Sequence, residues 1–329
     1  MAARFVDLHL HLDGSISAFS AKMIAQLSDM AEGALSLAEL ERRLTLPEGS
    51  QDLNDYLACF EVPLALLQRS DQIEEASFNL ADELYTRDFA YVEIRFAPQL
   101  FCRGLLGQEE ALKAVLRGLA RSELDCQLIL CAMRGRDTAA ANFETIELAQ
   151  EYLGKGVCAV DLAGAEALYP THDYQQLFAY AKKLGLPMTL HAGEAAGPKS
   201  VWDALAMGPA RIGHGVRSYE DKALLRELAA AGVCLELCPT SNLDTHIFSD
   251  YGELPLADFD EAGVKYCINS DNMSVSKTSV PEELAHLRAS FGWDSAKELE
   301  LSLAAADAAF LPENKKAKLK ALLEKNWAI

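Results

Sequence analysis

Apolar and polar positions along the chain follow two alternating patterns. Short runs rich in β-branched and aromatic residues predict eight strands, at 5–11, 91–97, 127–133, 157–162, 188–191, 212–214, 233–237 and 265–269. Longer stretches with helical periodicity lie between them, for example at 109–120, 143–152, 174–184, 200–207 and 221–231. Some of these stretches end in glycine, as Leu184-Gly185 and Ala231-Gly232 do, which is typical of a helix that ends just before a buried strand.

The repeated order of strand, helix and strand predicts an α/β fold. It favours parallel strands joined by right-handed crossovers, and eight such units can close into a (β/α)8 TIM barrel. An open, doubly wound sheet is the alternative. Because α/β barrels commonly run to ~250 residues as one unit, we expect residues 1–329 to form a single domain.

The connection between the first two predicted strands is much longer than a crossover helix requires. It spans residues 12–90, and helical periodicity recurs at 20–27, 35–44 and 53–67. An insertion after a barrel strand lies at the mouth that holds the active site, and it can close over that site. We therefore expect a helical insertion that acts as a lid. The alternative is a packing excursion without a functional role.

The charge balance restricts the possible partners. The chain has 30 Lys plus Arg against 49 Asp plus Glu, so its formal net charge is −19. A surface this acidic repels phosphate backbones and anionic lipid headgroups, so neither nucleic acid nor a membrane is expected as a partner. A small molecule remains as the expected partner. The sequence does not indicate an oligomeric state.

The cysteines and the N-terminus indicate a cellular compartment. Eight cysteines are scattered without a C-x-x-C pair, mostly in apolar runs where a reduced thiol behaves as a small hydrophobic side chain. The N-terminus lacks the positive region and long apolar stretch of a signal peptide, and no apolar run approaches ~18 residues. We therefore expect a cytoplasmic protein.

Four of the seven histidines lie at or near predicted strand ends: His9, His11, His191 and His214. In the run from Asp7 to Asp13, polar residues alternate with leucine, so two imidazoles share one strand face. Taken alone, this pattern also fits a strand whose polar face meets solvent. The strands that end in His191-Ala-Gly-Glu194, Gly213-His214-Gly215 and Asn269-Ser-Asp271 favour a site, because strand ends converge at the mouth of a barrel.

Imidazoles and a carboxylate gathered at one mouth indicate a metal site. Three imidazoles and one carboxylate suit zinc, which keeps a coordination position for water in catalytic sites. Barrel hydrolases with two metals commonly bridge them through a carboxylated lysine at the end of the fourth strand. Here that strand ends Val160-Asp-Leu-Ala-Gly164 without a lysine. We therefore expect one zinc ion per chain.

Six motifs follow one another in this order: His9-Leu-His11-Leu-Asp13-Gly14, Asp161-Leu-Ala-Gly164-Ala-Glu166, His191-Ala-Gly-Glu194, Gly213-His214-Gly215, Cys238-Pro-Thr-Ser241-Asn242 and Asn269-Ser-Asp271-Asn272. In this order they resemble the adenosine deaminase family of zinc-dependent amidohydrolases, and the resemblance runs from residue 5 to about 315. The H-x-E and P-C-x-x-C pattern of the cytidine deaminase type is absent. The resemblance implies hydrolytic deamination of adenosine, and of 2′-deoxyadenosine, with release of ammonia.

The resemblance also implies which residues act on the metal and in the reaction. The implied zinc ligands are His9, His11, His191 and Asp271. Glu194 would protonate purine N1, a task for which a carboxyl group needs a raised pKa. His214 would orient the hydroxide, with Asp161 behind it. Asp271 would both bind zinc and accept a proton from the water.

Other positions are implied to recognise the substrate. The N–H of Gly164 would meet purine N3, and Asp13 with His11 beside it would meet the ribose 5′-hydroxyl. Relatives that deaminate free adenine usually carry Glu at the position of Asp13, so aspartate favours the nucleoside. Asn272 stands where the family commonly has an acid that donates to N7. Because an amide NH₂ is a donor at every pH, we expect Asn272 to serve N7.

The segment from Leu53 to Pro63 resembles the apolar gating helix of the family. Leu57 and Phe60 would then be walls of the substrate pocket. The alternative is that they are ordinary core residues at helical spacing.

Two other functions remain open. A sister deaminase acting on adenine or on a 5′-modified adenosine would share the zinc ligands and differ around Asp13. Phosphorylated substrates are less favoured, because no cluster of Arg or Lys accompanies that motif. A zinc-binding or nucleoside-binding barrel without catalysis is the second alternative. Glu194 argues against it, since a binding module needs no proton carrier beside the metal.

Overall fold

Eight parallel strands lie where the sequence pattern predicts them. The computed structural model describes residues 4–28, 30–47, 49–50 and 53–327. Its strands are β1 (Phe5–His11), β2 (Phe89–Phe96), β3 (Cys126–Met133), β4 (Val157–Ala163), β5 (Thr189–Ala192), β6 (Arg211–His214), β7 (Cys234–Leu237) and β8 (Lys265–Ile268). All eight predicted strands are confirmed, with shifts of one or two residues at their ends.

Fifteen α-helices accompany the strands in the described part of the chain. They are α1 (Ala18–Leu27), α2 (Leu37–Leu44), α3 (Leu53–Ala58), α4 (Glu61–Leu66), α5 (Ser70–Thr86), α6 (Gln108–Leu119), α7 (Ala139–Tyr152), α8 (Gln175–Lys183), α9 (Pro198–Met207), α10 (Lys222–Ala231), α11 (Pro239–Asp244), α12 (Leu256–Ala262), α13 (Val280–Phe291), α14 (Ser295–Ala308) and α15 (Glu313–Trp327). None of these helices is both long enough and apolar enough to cross a membrane.

The strands pair in sequence order and close into a ring. Parallel ladders join β1 to β4 and β5 to β8. Single parallel bridges connect the two groups, between Val160 and Met188 and between Leu10 and Asp271. Closure at both places confirms the (β/α)8 barrel, and the open doubly wound sheet is wrong.

The polar face of β1, which carries Asp7 and His9, points into the barrel. Leu8, Leu10 and Leu12 are fully buried in the apolar clusters around the strands. Asp7 and His9 are also fully buried, so the interpretation of a polar strand face in solvent is wrong. Buried polar side chains on a barrel strand need partners inside the barrel, and these partners form the site described below.

The segment between β1 and β2 differs from its prediction in two ways. Its last helix, α5, was not predicted, although it buries Ile73, Leu80 and Leu84 against the barrel and packs beside α6 as a crossover helix does. The helix predicted at 53–67 is two helices, α3 and α4. Pro63 lies in the first turn of α4, where its missing N–H and its ring prevent a helix from continuing through the preceding turn.

Glu283 links α13 to the helix that follows β7. Its carboxylate accepts the backbone N–H of Thr240 at 3.2 Å and the hydroxyl of Thr278 at 3.0 Å. The side chain is fully buried, and burial raises its pKa to about 8. This carboxyl group holds the N-terminus of α11, whose Asn242 contacts the site.

We expect Glu283→Gln to reduce the pH dependence of stability. Between its ordinary pKa of 4.5 and its native pKa of about 8, the folded chain keeps a proton that the unfolded chain has lost. The free energy of unfolding therefore falls as pH rises in this window, by up to about 1.4 kcal/mol per pH unit for one group. Urea unfolding across the window should give a flatter curve for Glu283→Gln. The exposed Glu313→Gln should behave like the unaltered protein, and parallel curves for all three would contradict the assignment.

Candidate metal centre and active site

Three imidazoles and a carboxylate meet at the carboxyl ends of β1, β5 and β8. The Nε2 atoms of His11 and His191 lie 3.2 Å apart. Asp271 Oδ1 lies 3.6 Å from His9 Nε2 and 3.5 Å from His11 Nε2. Ligands about 2.1 Å from a tetrahedral zinc stand about 3.4 Å from one another, so these donors fit one ion. The Nε2 atom of His9 is buried without a hydrogen-bond partner, as expected for an atom aimed at a metal.

A second possible donor group is less suited to a metal. It consists of His9, His214 and Cys238, whose ligand atoms lie within 4.8 Å of one another. Burial, with nearby carboxylates, raises the pKa of the Cys238 thiol well above its ordinary range. Since the thiolate is the form that binds metals, the group with His11 and His191 is the better site.

The backbone at the ends of β6 and β8 is unusual. His214 and Asp271 have φ values of 55° and 60°, a left-handed region that residues other than glycine rarely adopt. At β8 this conformation is held by two hydrogen bonds to β1: Asp271 N–H to the carbonyl of His9, and His11 N–H to the carbonyl of Asp271, both 2.8 Å. Such strain is typical of functional positions, because the surrounding structure has to maintain it.

Asp161 supports His191, and the prediction that it lies behind His214 is wrong. Its Oδ2 atom is 2.7 Å from Nδ1 of His191. The reason is strand order, because β4 is next to β5, whereas His214 lies one strand further on β6. The Nδ1 atom of His214 faces the side-chain nitrogen of Asn242 at 3.3 Å instead.

Glu194 is a carboxyl group suited to carrying a proton. It lies just after β5 and is nearly buried, and its Oε2 atom is 3.7 Å from Nε2 of His214. Burial raises its pKa to about 7, with a further rise from Glu166 and an opposing effect from His191. A carboxyl group with a pKa near 7 can both donate and accept a proton at neutral pH.

Glu166 holds the loop that carries Glu194, a role that was not predicted from the sequence. Its carboxylate accepts the backbone N–H groups of Gly193, Glu194 and Ala196 at 2.7, 3.1 and 2.9 Å. It also accepts the hydroxyl of Ser200. The signal was its place in the motif that begins at Asp161, but only the fold shows what it contacts.

His214 lies in the same chamber as Glu194 and Asp271, the cavity that all three side chains line. Its Nε2 atom lies 3.9 Å from Asp271 Oδ2. Burial lowers its pKa to about 4, although Asp271 acts in the opposite direction. With the amide nitrogen of Asn242 at Nδ1, that atom accepts and Nε2 carries the hydrogen. His214 can therefore donate a hydrogen bond into the chamber at neutral pH.

Two adjoining cavities open beside these residues. One, of about 60 Å³, is lined by three of the proposed metal ligands, by Glu194 and His214, and by residues that include Tyr56, Phe60 and Asn272. The other, of about 200 Å³, is mainly apolar and borders His11, Asp13, Phe60 and Gly164. Its remaining walls were not predicted from the sequence: Leu64, Ala97, Leu100, Cys131, Met133 and Ala163.

The predicted substrate contacts other than Leu57 line these cavities. Phe60 and the backbone of Gly164 border both, and Gly164 has a φ of 103°, which favours a residue without Cβ. Asp13 is nearly buried, and burial raises its pKa to about 6. Leu57 belongs to α3, but its side chain lies outside the described residues.

Asn272 is held between the barrel and the segment that precedes α5. Its side-chain nitrogen donates to Tyr56 Oη at 3.0 Å and to Asp271 Oδ1 at 2.7 Å. Tyr56 Oη also lies 3.0 Å from Ser276 Oγ. A Cβ atom added to Gly14 would stand 1.8 Å from Asn272 Oδ1, so the amide needs glycine at that position. Tyr56 was not predicted as a site residue, because helical spacing alone does not show which side chain enters a pocket.

A closed (β/α)8 barrel with donors for one metal and a buried glutamate of raised pKa beside them is typical of a hydrolase of the metal-dependent barrel class. A family model described as adenosine deaminase matches residues 5–326. The chain therefore belongs to the adenosine deaminase family.

Individual relatives agree with this assignment. The adenosine deaminase of Haemophilus ducreyi is 43% identical over 325 residues, covering 95% of this chain and 94% of that protein. The adenosine deaminase of Enterococcus faecalis is 36% identical over 319 residues, covering 94% and 93%. Among solved structures, the adenine deaminase of Arthrobacter aurescens superposes with a TM-score of 0.88 at 22% identity, covering 98% of this chain and 99% of that one. At that identity the likeness supports the fold alone.

Proposed function

We propose that this protein is a zinc-dependent adenosine aminohydrolase, which converts adenosine and 2′-deoxyadenosine to the inosine counterpart and ammonia. One observation carries the proposal: Glu194, with its pKa raised to about 7, shares a cavity with His11, His191 and Asp271 of the donor set. That combination supports a proton donor acting beside a metal, as hydrolysis at a ring carbon requires. The named relatives support adenosine as the substrate.

The chain's own residues would divide the reaction among them. Zinc held by the four ligands would lower the pKa of a water towards ~7, which makes hydroxide available at neutral pH. Glu194 would donate its proton to purine N1, so that C6 becomes electrophilic. Asp271 would accept one proton of the attacking water and pass it to the departing amino group, and the proton left on the C6 oxygen would return to Glu194 as the carbonyl forms. His214 Nε2–H would donate to the oxygen added at C6, where negative charge develops.

The apolar cavity supports a nucleoside rather than a nucleotide as substrate. Of the described residues that line the two cavities, none is Lys or Arg, the side chains that usually bind phosphate. Asp13 and His11 at the cavity border would instead meet an uncharged 5′-hydroxyl. Solved structures of plant relatives at 24% identity contain bound IMP or GMP, and those ligands are properties of those proteins.

A substrate panel tests this function. We expect the ultraviolet absorbance of adenosine and of 2′-deoxyadenosine to change on mixing with zinc-loaded protein, with release of ammonia. Adenine, AMP and 5′-substituted adenosines should react with a kcat/KM at least about a hundredfold lower, because they lose or displace the contacts at Asp13. A higher kcat/KM for adenine or for a 5′-modified adenosine would favour the sister deaminase. No turnover of any aminopurine would favour a non-catalytic barrel.

We expect Asn272→Ala to weaken use of adenosine. In the structure the amide donates both of its hydrogens, to Tyr56 Oη and to Asp271 Oδ1, so a hydrogen bond to N7 requires that the one to Tyr56 be exchanged for one to the purine. The expected cost is about tenfold in kcat/KM, because a buried hydrogen bond contributes roughly 1–2 kcal/mol. The matched control is a substrate analogue: 7-deazaadenosine has C–H in place of N7, so its inhibition constant should differ little between the two proteins. Equal losses for both compounds would show that Asn272 acts on the shape of the pocket and not on N7.

We further propose that the part of the 12–90 insertion that precedes α5 forms a lid on a single-domain barrel. Three contacts with the barrel support it: Leu46 N–H with the carbonyl of Val275 at 3.0 Å, His246 with the carbonyl of Ser50 at 2.7 Å, and Tyr56 with Asn272.

All eight cysteines are free thiols, which supports the proposed cytoplasmic location.

A further inference from the structure

Two of the imidazoles proposed to bind zinc each have a carboxylate oxygen close to Nδ1. Nδ1 of His9 lies 2.9 Å from Glu236 Oε2, and Nδ1 of His191 lies 2.7 Å from Asp161 Oδ2. The two carboxylates come from β7 and β4, on different sides of the barrel. Both are fully buried.

A single arginine joins these carboxylates across the barrel interior. Arg95 on β2 donates from Nη1 to Asp161 Oδ2 at 2.8 Å and from Nη2 to Glu236 Oε2. Nη2 also donates to the carbonyl of Leu8, next to His9, at 3.1 Å. The guanidinium group is fully buried and takes no part in the proposed reaction.

We propose that Arg95 is a positioning residue that sets the tautomer of His9 and of His191. A guanidinium group donates only, so the carboxylate oxygens that Arg95 contacts act as acceptors. Each imidazole must then carry its hydrogen on Nδ1, and each presents the Nε2 lone pair towards the metal site. One side chain thereby fixes two ligands that are 182 residues apart in the chain.

Arg211 provides a matched comparison inside the same barrel. It is also fully buried and also binds Glu236, with its Nε atom 2.6 Å from Oε1. It also contacts Glu93, the carbonyl of Ala308 and the ring of Phe310, none of which is a proposed metal ligand. Arg211 therefore shares the burial and the charge of Arg95 but does not contact Asp161.

The test compares Arg95→Lys with Arg211→Lys. A lysine ammonium keeps the charge but cannot span two carboxylates as a planar guanidinium does. We expect Arg95→Lys to raise the zinc dissociation constant by about 10- to 100-fold in competition with a chelator. Long-range ¹H–¹⁵N NMR of the zinc-free protein should show a mixture of tautomers at His9 and His191. In Arg211→Lys both imidazoles should keep the Nδ1–H form. The zinc dissociation constant should stay within about threefold of that of the unaltered protein.

A second variant keeps the inference testable if Arg95→Lys does not fold. Asp161→Asn retains the shape of the side chain but removes the ionised acceptor behind His191. We expect this variant to lose the fixed tautomer of His191 and to keep that of His9. Unchanged tautomers at both imidazoles, together with unchanged zinc affinity, would overturn the inference in either variant.

This inference rests on the proposed function only in taking zinc as the bound ion. A protein that binds zinc with these tautomers but deaminates no purine would overturn the function and leave the role of Arg95 intact. An active enzyme whose Arg95→Lys variant keeps its tautomers and its zinc affinity would overturn the role of Arg95 alone.

Discussion

Replacing Glu194 with glutamine is expected to lower kcat for adenosine by about 10²- to 10⁴-fold, the usual contribution of a general acid. Glutamine has nearly the same shape but no proton to give to N1, so C6 is not activated. The structure supports this role because burial raises the pKa of Glu194 to about 7, and its carboxyl group lies 3.7 Å from His214. The variant should still fold, because Glu194 is not among the residues that hold the loop.

The measurement is steady-state kinetics with zinc-loaded protein, with the zinc content determined for each variant. Glu220→Gln is a suitable control, because Glu220 pairs with Arg217 near the surface, outside the residues that line the two cavities. We expect its kcat to match that of the unaltered protein. A Glu194→Gln variant that binds zinc and keeps a kcat within tenfold of that of the unaltered protein would refute the proposed proton transfer.

Replacing His214 with alanine is expected to lower kcat by about 10²- to 10³-fold, as the loss of one preorganised donor does at other oxyanion sites. The neutral imidazole has its Nδ1 occupied by Asn242, so Nε2–H is the free donor in the chamber. Because the left-handed backbone at His214 is strained for any side chain with a Cβ, alanine does not relieve that strain. The effect should therefore appear in kcat rather than in stability.

His286→Ala is the control for this substitution, because His286 stacks on Tyr251 outside the residues that line the two cavities. Its kcat should not change. The two variants should be compared at equal zinc occupancy. His214 is not among the proposed ligands, so its replacement should leave zinc binding unchanged. If His214→Ala lowers zinc binding and leaves kcat per bound zinc unchanged, His214 would be a metal ligand instead of a donor.

The barrel itself could be predicted from the sequence because its strands are short and almost entirely buried. Such strands give continuous apolar runs, and glycines such as Gly232 mark the helix ends before them. The insertion between β1 and β2 was harder to predict. Helix α5 was missed because it is half-polar and follows four short helices without a strand between them. Pro63 divided a helix whose apolar spacing continues across the break.

Residues at the site differ in how well the sequence identifies them. Strand ends meet at one mouth, so His9, His191 and Asp271 could be grouped from strand order alone. The partners behind these residues depend on which strands face one another across the barrel. That relation placed Asp161 behind His191, and it placed Arg95 between two carboxylates that no local motif connects. Contacts of this kind follow from the closed barrel and not from spacing along the chain.

Titrating zinc into metal-stripped protein in the presence of adenosine shows whether deamination depends on one bound zinc ion. We expect no turnover without metal, then inosine and ammonia formed in equal amounts at a rate that rises until one zinc is bound per chain. Glu194→Gln should bind the same single zinc and remain almost inactive. Full activity in the stripped protein, or one bound zinc without any deamination of adenosine, would contradict the account.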